Sequence, residues 1–522
     1  MENQKNTTSK ETLISLIQNI NIKYKIAFFS CLIFGFFSQA TGLFNKISFN
    51  DDILFLFDIG ATYTSGRWGL EILKNIIRFI FGSGTYSLPV FNGFSAIIFL
   101  SITACLIIDL LNIKNQLIYI FISGLLVCFP VITYLFGYMF TLPYYMLSVL
   151  FGTWGVYIIC KCKQNKQYIL GILLITLSIG IYQAFLPFTI SLFVLYLINF
   201  IATETQTTYK EIFRKLVIIF VSITSSIILY LCITKLYLAI HQTQLTDYRE
   251  INTLGLTTFS GYMFRILFAY KEYFWPTPTY EYYMYPANTK YIYYVCICLS
   301  IIMASCITVK IYKQNKIRAL LLSIIFICFP LAVNLIFVMS PLHIIHALMM
   351  YSQLIPFILF AWLIDNIQIK TQKVEKFFKH FAFAILILLN IIYCRYANEC
   401  YLKATLSQQR LISYYTTLIT QIKSIEEYSD NLPIMFINEH NIKDRTLENI
   451  SELQLIQGFP YKNIKKLVNN HAWKNFMKYW LGYSPTIVNN SRIKRSAEVR
   501  KMPSYPTKGS IKRINNVIVV KF

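Results

Sequence analysis

The chain has 522 residues, of which 56% are hydrophobic, 16% aromatic and only 14% charged, a balance that excludes an ordinary soluble domain and indicates a polytopic membrane protein. A formal net charge of +24 would suggest nucleic acid in a soluble chain. Here Lys and Arg cluster between apolar runs and in the C-terminal tail, so no nucleic acid partner is expected; the polyanions that fit are membrane lipid head groups or a phosphate-bearing lipid substrate. The twelve cysteines form no CxxC pair and mostly lie inside apolar runs, as with Cys105, Cys128, Cys232 and Cys328, which reads as small packing residues.

Residues 1–23 are polar and read as a cytoplasmic N-terminal tail, because the apolar run that follows is too long for a signal-peptide core. Counting runs of roughly 18 or more mainly apolar residues predicts spans near 24–44, 87–109, 116–135, 138–160, 168–182, 184–201, 215–240, 290–311, 318–339, 347–365 and 379–396, about eleven in all. The run from Tyr168 to Ala202 is long for one span and short for two, and Gly180, Tyr182 and Gln183 interrupt it before Pro187. A tight re-entrant turn satisfies this pattern if protein or a water-filled cavity meets its backbone polar groups.

The short basic loops set the orientation. Lys161, Lys163 and Lys166, then Lys210, Arg214 and Lys215, then Lys310, Lys313, Lys316 and Arg318, then Lys370, Lys373, Lys376 and Lys379 fall on one side under this count. That side is cytoplasmic by the positive-inside rule. The expected layout is a transmembrane domain over 24–396 with outer loops at 45–86 and 241–289, followed by an outer C-terminal domain over 397–522.

The first outer loop holds the densest group of ionisable residues in an apolar setting. FNDDILFLFDIGATYTSGRWGLE, from Phe49 to Glu71, brings Asp51, Asp52, Asp58, Arg67 and Glu71 to the membrane surface. Such a cluster beside hydrocarbon is costly unless it is used, which makes it a functional-site hypothesis; a helix-capping Asp pair on an interfacial loop is the plainer alternative. Arg67, between Gly66 and Trp68, either holds a phosphate or ties the loop through Asp58 or Glu71.

The second outer loop carries Tyr270, Tyr273, Phe274, Trp275, Tyr280, Tyr282, Tyr283 and Tyr285 among prolines. This density fits an interfacial belt, and aromatic faces also stack on sugars. Arg265 and Lys271 either hold a lipid phosphate or snorkel as anchors. His343 and His346 lack a convincing third ligand, so no metal is expected.

After Tyr396 the character changes. Residues 398–427 show the mixed faces of an amphipathic helix, Pro433 to Ile437 reads as a buried strand, and Ser510 to Phe522 as a hairpin turning at Asn515 and Asn516. These make a small α/β or α+β domain.

Glycosyl transfer from a lipid phosphate needs a carboxylate to take the proton of the attacking hydroxyl and cations to hold the departing phosphate. Asp52 and Asp51 are candidates for the first role, Arg67 and Arg265 for the second. The Asp-Asp pair followed by Gly-x(5)-Gly-Arg-Trp, the Gly-Ile-Tyr-Gln-Ala-Phe stretch from Gly180 to Phe185, and the C-terminal run from Pro503-Ser-Tyr-Pro506 through Gly509-Ser-Ile to Val517-Ile-Val-Val-Lys521 together resemble the type II O-antigen glucosyltransferases of the bacterial serotype-converting Gtr group.

That resemblance implies a GT-C-like membrane glycosyltransferase of the bacterial inner membrane. It would take glucose from undecaprenyl-phosphate-glucose at the periplasmic face and place it on a lipid-linked O-antigen acceptor glycan, with no cofactor. It also implies a catalytic acidic residue in the first outer loop, here Asp52 with Asp51 beside it. Asp58, Arg67, Trp68, Tyr182, Gln183, Arg265, Lys271 and Trp275 are the expected substrate-binding residues. The apolar segment from Ile53 to Phe57 departs from the more polar one expected, so Asp58 either shares the role or caps a helix. The competing readings are a lipid-linked oligosaccharide flippase or transporter, and an O-antigen polymerase or acyltransferase. A transporter should show repeated halves and midplane charges, and an acyltransferase a His-based general base; the sequence shows no repeat, and only His241, His343 and His346 near the membrane.

Overall fold

The computed structural model describes residues 20–48, 51–60, 62–161, 164–204, 206–247, 252, 255–278, 283, 285–286, 289–368, 371–426, 428–438 and 472–522. Most of the N-terminal tail, Phe49, Lys163, Tyr280, Tyr282 and Lys370 lie outside the described residues. Helix α1 (Ile22–Phe44) leads into the first outer loop, which folds into the short α2 (Asp51–Leu54) and α3 (Trp68–Phe81). There follow α4 (Pro89–Leu110), α5 (Gln116–Cys128), α6 (Pro130–Phe136), α7 (Leu142–Lys161), α8 (Asn165–Ile181), α9 (Leu186–Thr203) and α10 (Tyr209–Ile240). Helices α11 (Phe259–Phe274), α12 (Thr289–Gln314), α13 (Lys316–Val333), the single turn α14 (Ile336–Met339), α15 (Ile355–Asn366) and α16 (Gln372–Lys423) complete the helical part.

Among the described residues, eight helices are long and apolar enough to cross a membrane, and α5 with α6 makes a ninth if that pair, bent by 41°, is one span. The bend falls at Pro130, which cannot continue the hydrogen-bond ladder of α5. Two segments expected as spans are shorter: α8 has 17 residues and α15 has 12. The approach to α15 is made instead of the turns Leu342–Ile344, Ala347–Met349 and Tyr351–Leu354. Tyr351 and Leu354 there are fully buried, and irregular backbone is tolerated at such a place because protein, not lipid, surrounds it.

The basic ends of the helices meet at one end of the bundle. Lys23 pairs with Asp109, which also accepts from the Tyr157 hydroxyl at 2.8 Å, and Lys161 donates to Asn112 at 2.8 Å. The backbone N–H groups of Lys114 and Asn115 donate to Asp365, the Arg318 Nε to the Ile201 carbonyl at 2.6 Å, and Lys310 to Gln368. The opposite end carries the two outer loops and α3. With 14 residues α3 is too short to span. It buries Trp68, Gly69 and Leu70 at its start and projects at its end, where Phe79 is 90% exposed beside Ile80 and Phe81.

The backbone does not break at residue 396. Helix α16 runs for 52 residues, about 78 Å at 1.5 Å per residue, so the passage from bundle to C-terminal unit is a change of side chains along one helix. Its far end packs Tyr414 against Tyr505 and Tyr415 against Trp473 and Phe476. These partners belong to a three-stranded mixed sheet with α17 (Trp473–Leu481), α18 (Ser491–Arg495) and α19 (Ala497–Lys501). Strand β1 (Ile434–Ile437) is parallel to β3 (Val517–Lys521), and β2 (Ile511–Ile514) is antiparallel to β3, in the order β1-β3-β2. Tyr479 of α17 meets Phe57, and Gln408 donates to the Lys46 carbonyl, which seats the C-terminal unit on the first outer loop.

Candidate active site

The first outer loop is folded by its glycines and docked by its small surfaces. Gly66 closes the turn Tyr63–Ser65 at φ 73°, and a Cβ there would stand 2.6 Å from the Tyr230 hydroxyl. Gly69 lies against Gly180: a Cβ on the first would stand 2.9 Å from the Gly180 carbonyl carbon, and one on the second 2.5 Å from the Trp68 ring. Only glycine at both positions lets α3 press onto the end of α8. There the chain breaks as expected from the sequence, with Tyr182 extended, a turn over Gln183–Phe185, and Pro187 in the first turn of α9. The Gln183 amide then donates to the Ser65 carbonyl at 2.8 Å and to the Tyr230 hydroxyl at 3.0 Å.

Two stretches singled out in the sequence, more than a hundred residues apart, thus become one site. The Arg67 Nη1 donates to the Tyr145 hydroxyl at 3.2 Å, and its guanidinium carbon lies 5.0 Å from the Tyr182 ring centroid. Tyr182 in turn stacks on Tyr145 at 4.2 Å and 13°. A cation over a stacked aromatic pair is held in place and partly desolvated. Trp68, 2% exposed, begins a line of rings that continues through Tyr237 at 6.3 Å to His241, which stacks on Tyr63 at 4.4 Å and 20°.

The carboxylates separate by environment. Asp52 is fully buried, and its two oxygens accept from Lys46 Nζ at 2.5 Å, Ser48 Oγ at 2.6 Å, Ser87 Oγ at 2.5 Å and the Phe140 N–H at 3.2 Å. It ties together the chain just after α1, the approach to α4 and the turn before α7. Asp51, half-buried, opens α2 beside it. Asp58 faces outward at 54% side-chain exposure and pairs with Lys74 at 2.9 Å. Burial acts to raise the Asp58 pKa, but Lys74 and the backbone N–H groups of Ile59 and Gly60 outweigh it and hold the carboxyl below its usual range. Burial likewise acts to lower Lys74, and Asp58 with Glu71 holds it above its ordinary value. Glu71 accepts from the Thr62 hydroxyl and lies 3.9 Å from Lys74.

The second outer loop makes its contacts elsewhere. Arg265 donates to the Val338 carbonyl at 3.2 Å, Lys271 pairs with the buried Glu272 at 2.5 Å and with Thr277, and Trp275, 67% exposed, stacks on Tyr294. Below Tyr273 and Phe274 an apolar cavity of about 370 Å³ opens between α12 and α13, lined by residues such as Ile297, Ser300, Ala304, Phe326 and Pro330. Among the described residues no three His, Cys, Asp or Glu side chains group as metal ligands.

Sequence reasoning passed over Lys46, Ser87, Tyr145, Tyr230, Tyr237 and Lys74. Lys46 and Lys74 carried a usable signal, being cations that flank the acidic stretch in an apolar region. The tyrosines carried none, since a Tyr inside an apolar run reads the same whether it lines a site or packs a core.

The glucosyl transferase GtrII family model matches residues 40–357, more than half of the chain, and takes in the acidic loop, the Tyr182 break and the second outer loop. No curated protein and no solved structure matches the chain. With the family match covering every element of the site just described, the chain belongs to the glucosyl transferase GtrII family.

Proposed function

We propose that this membrane glycosyltransferase moves glucose from undecaprenyl-phosphate-glucose to a lipid-linked O-antigen repeat at the periplasmic face of the bacterial inner membrane. The observation that carries the reading is the meeting of Arg67 with Tyr145 and Tyr182 beneath the first outer loop. A guanidinium fixed on aromatic rings at the membrane surface suits a lipid phosphate that gains charge as its bond to the sugar breaks. The apolar cavity between α12 and α13 offers hydrocarbon contact to the tail of such a donor.

In this reading Asp52, with Asp51 beside it, takes the proton of the acceptor hydroxyl. That oxygen bonds to the sugar's anomeric carbon as polyprenyl phosphate leaves, and Ser48 or Ser87 turns its hydroxyl away to admit the acceptor. Arg67 holds the phosphate, Trp68, Tyr182 and Gln183 shape its surroundings, and Arg265, Lys271 and Trp275 meet lipid at the rim. About eleven crossings, with α8 and α15 as the two short ones, put the basic helix ends in the cytoplasm and both outer loops with the C-terminal unit in the periplasm.

The test is transfer of labelled sugar from defined polyprenyl-phosphate donors to lipid-linked acceptor glycan in membranes containing the protein. Transfer from the glucose donor, absent with a nucleotide-glucose donor alone, is the expected result. Translocation of the lipid-linked glycan without sugar transfer would replace this reading with the flippase.

A further inference from the structure

We propose that the rings of Tyr63, His241 and Tyr237, with Glu71 at their flank, form the subsite for a sugar ring of the acceptor glycan. This rests on the transferase reading above and assigns a place to the substrate that arrives from water. Helix α10 ends at Ile240, and His241 follows as its cap. The chain beyond turns back so that the Thr246 N–H donates to the Thr64 carbonyl at 2.9 Å, which joins the two outer loops beside the stacked pair. Tyr63 and Tyr237 are half-buried and His241 is exposed, so ring surface remains for a ligand.

One polar atom beside these rings is left open among the described residues. Glu71, 16% exposed at its side chain, uses Oε2 toward Thr62 and Lys74, and its Oε1 carries no hydrogen bond among the described residues. A carboxylate oxygen left open beside aromatic faces matches the chemistry of a sugar, which presents C–H faces for stacking and hydroxyls that both donate and accept. Anchoring aromatics of an interfacial belt need only an apolar body and a wet polar tip; they need neither a face-to-face stack nor an open carboxylate. The placement also separates the substrates. Arg67 sits on the buried Tyr145–Tyr182 pair, the side for a lipid phosphate, and the Tyr63–His241 stack lies past the end of α10 among Gln242, Thr243 and Thr246.

The experiment measures KM separately for polyprenyl-phosphate-glucose and for the lipid-linked acceptor, using the full-length protein in bilayer discs. His241→Ala and Tyr63→Leu are expected to raise the acceptor KM about tenfold each, on the scale of one lost stacking surface, with the donor KM within about twofold. His241→Phe restores a stacking face and should return most of the acceptor affinity, which loss of a titrating group would not predict; the unchanged donor KM is what separates a subsite from a general loosening of the loop. Glu71→Gln should raise the acceptor KM as well. Because His241 is exposed, its removal leaves the packing in place, so His241→Ala decides the matter even if Tyr63→Leu fails to fold. An unchanged acceptor KM in His241→Ala overturns the subsite, as does a rise confined to the donor KM. A fall in kcat for Glu71→Gln with acceptor KM unchanged would put Glu71 in bond making and remove it from the subsite. No transfer by the unaltered protein would instead overturn the transferase reading itself.

Discussion

Replacing Arg67 by lysine keeps a positive charge beside the Tyr182 break and removes the flat fork. In the structure that fork does two things at once: it lies 5.0 Å over the Tyr182 ring, and one N–H reaches the Tyr145 hydroxyl at 3.2 Å. The cation–π contact contributes about 0.5–2 kcal/mol and the hydrogen bond about 1 kcal/mol to the resting arrangement. The larger effect belongs to the transition state, where loss of one fixed donor to a developing negative charge costs about 10²–10³ in rate. An ammonium on a flexible stem has no planar pair of donors to offer phosphate. Arg67→Lys should therefore lower kcat about a hundredfold and Arg67→Ala about a thousandfold, with unfolding temperatures in detergent a few degrees below that of the unaltered protein. The assay is labelled transfer at saturating donor and acceptor, at matched protein levels. A Lys variant retaining a third or more of the activity would reduce Arg67 to a generic charge, and loss of folded protein in both variants would make it a tie of the loop.

Four other outcomes are expected. Asp52→Asn should abolish transfer and also weaken the fold by about 3 kcal/mol, because four donors lose their charged acceptor and Lys46, itself 31% exposed, is left beside a neutral amide; an unchanged unfolding temperature with lost transfer would leave Asp52 a catalytic role alone. The Asp58 carboxyl is held low and is half exposed, so its contribution, less than about 1 kcal/mol after solvent screening, is present above about pH 4 and is lost as the pH falls through the depressed folded value; thermal unfolding of Asp58→Asn should converge with that of the unaltered protein in acid, and a gap that persists there would contradict the pairing. Gly180→Val should undock α3 from α8 and cost about 1–3 kcal/mol by overpacking against Trp68, read as faster proteolysis within 60–70. A reporter active only in the periplasm should work after Phe522 and a cytoplasm-only reporter within Lys161 to Gln167; the opposite result at either place would revise the count first at the Tyr182 break.

Local chemistry alone determined a good part of this protein. The long apolar runs, the chain break between Gly180 and Pro187, the buried strand before Ile437 and the hairpin at Asn515 and Asn516 all follow from patterns contained within some twenty residues, because hydrogen-bond periodicity, φ restriction and hydrophobic length act at that range. The importance of the acidic loop was legible too, since charge beside hydrocarbon is costly wherever the chain leads next. Which charge does what was not legible. Asp51 and Asp52 are neighbours in sequence, yet Asp52 is fully buried because Ser87 and Phe140, 35 and 88 residues away, close over it. Arg67 and Arg265 looked alike as phosphate ligands; one rests on Tyr145 and Tyr182 and the other on the Val338 carbonyl. Those outcomes depend on how α3 packs against α8 and how α11 lies against α14, and no periodicity within either segment encodes its partner. Tertiary packing decides them, because a side chain's solvation, and with it the work its charge can do, is set by whatever the rest of the chain lays on top of it.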